Sequence, residues 1–206
     1  MIIDFKNKLV FIATSKTAST SIEKALIQFS YCGLIGKHPR LKHMNFKTFV
    51  KIKKGLGLGG FKTWCVVRHP VEKSISWYNY RRREKIKDKD RFLGDISYKE
   101  YLTVLDAKGR NECNDATSII ANNNKTVDLV FDYSRPNELL SFLDAVYGIP
   151  ELPRHNVSAS YGETYQPSED ELRLARQVLH EEISNFEDIE TTTADQAKKL
   201  MEDLKI

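Results

Sequence analysis

Apolar residues are grouped along this chain in two distinct rhythms. Residues 8–14, "KLVFIAT", form a short run rich in β-branched and aromatic side chains and bounded by polar ones, the pattern of a buried strand. Ile22, Ala25, Leu26 and Phe29 then recur at i, i+3, i+4 and i+7, the core-facing stripe of a helix. Thr20 and Glu23 have the spacing of a capping box at its start. A second apolar run, "FKTWCVV", predicts a strand that stops at Arg68, and Pro70 suits the first turn of a helix carrying Val71, Ile75 and Tyr78. "VDLVFDY" (127–133) is a third strand, and "NELLSFLDAVYG" (137–148) a helix closed by Gly148 with Pro150 beyond it. Residues 168–183 predict one helix, opened by Ser168 with Glu171 at the matching position, and a last helix covers roughly 194–204. Between the first two units, residues 37–54 are basic and include Leu41, Met44, Phe46, Phe49, Val50 and Ile52, read as a loop leading into a short helix. Strands alternate with helices and no repeat or linker interrupts them. The expectation is a single α/β domain over residues 1–206 with a small parallel sheet.

Composition narrows the setting. A chain of 206 residues with 41% hydrophobic and 29% charged residues can bury a substantial core, and no apolar run approaches the ~20 residues that span a bilayer. The first eight residues mix an acid with lysines and lack a small-residue cleavage site, so no secretory leader is expected. Cys32, Cys65 and Cys113 are odd in number and include no CxxC pair, which fits neither a disulfide framework nor a zinc site. A reducing cytoplasm is the expected compartment. The formal net charge of +4 conceals an asymmetry, because residues 37–91 hold 17 Lys/Arg against 4 Asp/Glu. Such a field attracts a polyanion, a phosphate-rich ligand or an acidic substrate. For "RRREKIKDKDR" (81–91) a solvated charged face is an equal reading.

Two stretches carry candidate chemistry, and one apparent motif does not. Gly55, Gly57 and Gly60 satisfy GxGxxG, but they precede a strand instead of following one, so the dinucleotide fingerprint is rejected. The first real candidate is "SKTASTS" (15–21), where a strand gives way to a helix. Amides of a first helical turn lack internal partners, and the helix dipole adds about half a positive charge there. Lys16 supplies a full charge, Thr17, Ser19, Thr20 and Ser21 supply hydroxyls, and Ala18 is small enough for close backbone approach. The same residues also suit a helix cap beside a solvated lysine. A Walker A loop needs GxxxxGK[ST], and no glycine is present. The second candidate is Arg68 at the end of the next strand, with Ser76 about two helical turns further on: a planar fork for phosphate and a nearby hydroxyl. Each alone is equally well a surface residue. Together the two stretches could grip a nucleotide bearing two separated phosphate groups.

As an ordered pair these motifs resemble the 5′-phosphosulfate loop and 3′-phosphate motif of sulfotransferases that use 3′-phosphoadenosine-5′-phosphosulfate (PAPS). Those proteins carry Pro-Lys-[Ser/Thr]-[Gly/Ala]-[Ser/Thr]-[Thr/Ser] between strand and helix, matched by Ser15-Lys16-Thr17-Ala18-Ser19-Thr20. Their Arg-x-Pro followed by Ser-x-Tyr is matched by Arg68-His69-Pro70 and Ser76-Trp77-Tyr78. "DLVFDYSRPNELLSFL" and "LPRHNVSAS" resemble later blocks of the small carbohydrate-type branch, so the likeness covers most of the chain. Ser15 stands where many relatives have Pro, and His69 where Asn or Asp is usual.

The resemblance implies a P-loop-like three-layer α/β/α fold and transfer of a sulfuryl group from PAPS to an acceptor hydroxyl, on a carbohydrate, without a metal. Lys16 would stabilise charge on the leaving phosphate, and Lys16 through Ser21, with Arg68 and Ser76, would bind the nucleotide. His43 resembles the histidine that relatives place between the two motifs as general base, a task an imidazole suits. His38 competes with it, and Arg154, Asn156 and Ser158 are candidates for a closing loop. Two other classes stay in play. A P-loop-like phosphotransferase would bind ATP with Mg²⁺, and a non-catalytic protein would bind nucleotide or polyanion without turnover. Nucleic acid is disfavoured, since the aromatics of "WYNYRRR" fall inside the second motif.

Overall fold

The computed structural model describes residues 1–29, 31–34, 43–83, 93–107, 111–121, 125–153 and 164–204. Its contacts divide the chain into two compact units, Met1–Arg68 with Ala116–His155 and Glu190–Ile206, and His69–Asp115 with Asn156–Ile189. His38, Arg154, Asn156 and Ser158 lie outside the described residues.

The first unit is built on one five-stranded sheet of β1 (Ile2–Asp4), β2 (Leu9–Ile12), β3 (Cys32–Leu34), β4 (Lys62–Val67) and β5 (Leu129–Asp132). The strand order is β3-β1-β2-β4-β5. The three strands expected from the apolar runs, β2, β4 and β5, are parallel neighbours, with Phe11 opposite Trp64 and Trp64 opposite Leu129. The wholly parallel sheet expected from the sequence needs correction. β1 pairs antiparallel with both β2 and β3, so the sheet is mixed. Both unforeseen strands are only three residues long, too short for an alternation to register, and the turn between β1 and β2 is made by local bonds. There Asp4 accepts from the Asn7 amide and side chain at 2.9 and 2.8 Å.

Side chains alternate across the sheet, as the pleat demands. On one face Leu9, Phe11, Trp64, Val66 and Phe131 are buried against α1 (Ser19–Leu26), α6 (Pro136–Tyr147) and α9 (Ala194–Leu204). Trp64 is the hub. Its ring lies 4.4 Å from that of Phe11, 5.2 Å from Phe142 and 6.2 Å from Phe131. On the opposite face Val10, Ile12, Cys65 and Val67 are equally buried, as a doubly covered parallel strand requires. Two shorter helices, α2 (Phe46–Ile52) and α5 (Ala116–Ile119), pack on each other in this unit. Gly148 closes α6 in the left-handed conformation, at φ 66°.

The second unit is helical: α3 (Pro70–Arg81), α4 (Tyr98–Ala107), a 3-10 turn at Asn111–Cys113, α7 (Glu169–Val178) and α8 (His180–Glu187). The single helix expected over 168–183 is two helices, broken at Leu179, which has φ −102° and ψ 20° and is fully buried. Its capping box forms as expected, with Ser168 and Glu171 bonding each other's amides at 2.9 and 3.3 Å. The core is a cluster of tyrosines. Tyr78, Tyr98, Tyr101 and Tyr165 meet at ring separations of 5.0–6.1 Å, and the Ser74 hydroxyl bonds that of Tyr98 at 2.6 Å. Lys73 is buried on α3 and paired with the buried Asp115.

His69 caps α3. Its Nδ1 accepts from the Val71 N–H at 3.3 Å, ahead of Pro70 at the first helical position. That is the service an Asn or Asp carbonyl renders at an N-cap, and it explains why histidine stands between Arg68 and Pro70. The ring is held edge-on against Phe186 at 5.5 Å.

Asp128 clamps the starts of β4 and β5. It accepts from the Thr63 amide at 2.8 Å, the Thr63 hydroxyl at 2.7 Å and Lys62 at 3.1 Å. Burial pushes its pKa up, but the Thr63 bonds and Lys62 outweigh that and leave it below the usual carboxylate range. A depressed folded value stabilises fully above the unfolded pKa of about 4 and is lost as pH falls through the folded value. Asp128→Asn is expected to cost about 2 kcal/mol at pH 7, with a smaller gap from wild type at pH 3, measured by urea unfolding. In the second unit Lys73→Ala leaves Asp115 as a buried carboxylate without this partner. The expected loss is about 3 kcal/mol, and Lys73→Met with Asp115→Leu restores part of it in the same assay.

Candidate anion-binding site

Parallel strands align their C-terminal ends, and open α/β sheets bind ligands beyond that edge. Here the edge gathers Ala13 and Thr14 after β2, Arg68 after β4 and Tyr133 after β5. The turn from β2 into α1 has a conformation its composition does not advertise. Lys16 and Ala18 both take positive φ, 63° and 58°, while Thr17 between them does not. Alternation of this kind folds successive amides into a concavity that suits an anion. Left-handed backbone costs an ordinary residue roughly 1–2 kcal/mol, so something must hold it.

Thr14 and Thr17 do so. The Thr14 hydroxyl donates to the Val66 carbonyl, and the Thr17 hydroxyl lies 2.9 Å from it and 3.1 Å from the Thr14 carbonyl. Thr17 is fully buried. Its single hydroxyl proton is directed at Thr14, so Thr17 shapes the turn through its side chain. Of the hydroxyls proposed to face a ligand, Ser19 and Ser21 are buried and Thr20 is half-buried, as is Lys16.

The expected capping box at Thr20 and Glu23 does not form. Helix α1 begins at Ser19, its N-cap is the left-handed Ala18, and no side chain caps it. Glu23 instead accepts from the Met1 amine at 3.0 Å. The Ser21 N–H donates to the Ala18 carbonyl at 2.8 Å, and amides in the first turn of a helix have no preceding helical carbonyl to reach. The dipole of α1 adds positive potential at the same end.

Two further candidates come to this turn from distant sequence. Arg68 donates from Nη1 to the Lys16 carbonyl at 3.3 Å, and its guanidinium lies 4.4 Å from the centre of the Tyr133 ring. His43 donates from Nδ1 to the Ala13 carbonyl at 2.8 Å. A carbonyl only accepts, so the neutral ring carries its proton on Nδ1 and presents Nε2 as the basic nitrogen. Asn45, just beyond, caps α2 by accepting from Thr48 at 2.9 Å. Lys16, His43 and Arg68 therefore meet at one turn, with Ala18 through Ser21 beside it. Ser76 belongs to α3 in the second unit and is half-buried there.

Thr14 and Tyr133 were not singled out in the sequence. Their only signal was position, each being the last residue of an apolar run, and the register that aligns those runs is a property of the folded sheet. The thiols offer no competing nucleophile. All three cysteines are buried and none is in a disulfide, and burial, with acidic neighbours, pushes Cys32 and Cys113 up to about 12. Among the described residues, no group of His, Cys, Asp or Glu is placed to hold a metal ion. Nor is any helix there long and apolar enough to cross a membrane. No protein-family model, curated protein or solved structure matches the chain.

The turn yields a direct test. At Ala18, glycine removes the left-handed penalty and adds freedom to the unfolded chain, while a β-branched residue raises the penalty. Ala18→Gly is expected to leave stability within about 0.5 kcal/mol of wild type or above it, and Ala18→Val to lose about 2 kcal/mol. Thermal and urea unfolding of both variants checks the pair.

Proposed function

We propose that this protein transfers a sulfuryl group from 3′-phosphoadenosine-5′-phosphosulfate to an acceptor hydroxyl on a carbohydrate, and that its sheet unit is a P-loop-like α/β/α nucleotide-binding layer. The observation that supports this reading best is the meeting of Lys16, His43 and Arg68 at one glycine-free, left-handed turn. A triphosphate-binding P-loop relies on glycines and a metal-binding hydroxyl that follows its lysine. Here the hydroxyl after Lys16 is buried in the turn's own bonding. What the turn offers instead is fixed positive potential from amides, a lysine and an arginine, suited to a nucleotide with phosphate at both ends.

The donor brings a sulfur already activated by a phosphate leaving group. Lys16 and the first-turn amides of α1 stabilise the charge that grows on the 5′-phosphate oxygen as the sulfur–oxygen bond breaks. His43, held by Ala13, accepts the acceptor's proton at Nε2 while the acceptor oxygen bonds to sulfur. Arg68 holds the 3′-phosphate, and Ser76 is assigned to it by the motif alone. Buried cysteines outside any disulfide suit a cytoplasmic setting, where thiols stay reduced.

Calorimetric titration with 3′,5′-adenosine bisphosphate, against ATP with Mg²⁺, tests the nucleotide. The wild type is expected to bind the bisphosphate without metal, and Arg68→Ala to bind it at least tenfold more weakly. With labelled donor and a panel of carbohydrate acceptors, Lys16→Ala and His43→Ala are each expected to lower transfer about a hundredfold. Preference for Mg-ATP would return the phosphotransferase reading. Tight bisphosphate binding with no transfer to any acceptor would favour a binding protein.

A further inference from the structure

We propose that Tyr133 is the positioning residue for Arg68 and thereby sets discrimination between nucleotides with and without a 3′-phosphate, an inference that rests on the donor reading above. Parallel pairing puts Val67 opposite Asp132, so the next residues, Arg68 and Tyr133, leave the sheet side by side. The Tyr133 N–H donates to the Val67 carbonyl at 2.8 Å, which fixes the tyrosine backbone beyond the end of β5. Its ring then faces the guanidinium at 4.4 Å.

An arginine side chain has many rotamers, and a phosphate contact must overcome the cost of ordering them. Two contacts in this structure reduce that cost. The Lys16 carbonyl takes one N–H from Nη1, and the Tyr133 face sets the plane of the fork. A carboxylate in place of the ring would orient the guanidinium but would also neutralise it and compete with phosphate. An aromatic face orients it and leaves the charge in place. The neighbouring carboxylate, Asp132, accepts from the Ser134 N–H at 2.8 Å and lies 3.8 Å from Arg135. Tyr133 remains 37% exposed, so its ring is not part of the core and substitution there spares the sheet.

The test compares affinities for 3′,5′-adenosine bisphosphate and adenosine 5′-monophosphate by calorimetry, in wild type, Tyr133→Leu, Tyr133→Gln and Tyr133→Phe, with a melting curve for each. Both ringless variants are expected to bind the bisphosphate roughly fivefold more weakly and the monophosphate unchanged, with Tyr133→Phe like wild type. Equal weakening for both nucleotides would overturn the proposal, since the ring would then serve the base or the fold as a whole. Unchanged discrimination in the ringless variants would overturn it too. A wild type that does not distinguish the two nucleotides brings down the donor reading itself, a separate result from wild-type discrimination that survives loss of the ring.

Discussion

The in-register parallel pairing of β2, β4 and β5 is the constraint on which the candidate site depends. It brings three strand ends to one edge, so residues as far apart as Thr14, Arg68 and Tyr133 become neighbours. The pairing is held from both directions. Asp128 ties the strand starts through Thr63, and the Phe11, Trp64 and Phe131 rings fill the space between sheet and helices. A slip of one residue would carry Trp64 to the other face and separate Arg68 from the Lys16 carbonyl.

Next to that edge the chain accepts local strain. Two residues with side chains occupy left-handed backbone where glycine would be cheaper, and buried hydroxyls of Thr14 and Thr17 hold the shape. The result is a turn with few alternatives, which favours an anion site because the amides need not be reordered on binding. Thr17 illustrates the division of labour. Sequence position suggested a ligand contact, whereas its hydroxyl proton is used inside the turn. In the proposed transfer, the contacts there come from backbone amides, from Lys16, and from groups arriving from elsewhere, His43 and Arg68.

The apolar runs made β2, β4 and β5 legible, and helical periodicity with cap residues made α1, α3, α6, α7 and α9 legible in outline. Lys16 and Arg68 stood out because a charge beside small hydroxyl residues, or at the end of an apolar strand, is unusual enough to ask for a partner. Other features were out of reach. The antiparallel β1 and β3 owe their existence to partners in the sheet more than to their own three residues each. The break at Leu179 lets that residue sit at full burial in the tyrosine-rich core, a demand that periodicity along one helix does not contain. Glu23 reads as a capping residue until its competitor for that carboxylate, the Met1 amine, is brought near by the folded sheet.

Taken alone, the chain dictates which segments bury one face, which residue types are available at the strand ends, and that about a quarter of its length is strongly basic. These are consequences of period, side-chain chemistry and charge, and they act locally. The partner of each candidate group was settled only by folding. Arg68 meets Lys16 and Tyr133, His43 meets Ala13, and His69 turns to cap α3, because strand register and helix packing fix distances between residues that the linear order leaves unrelated.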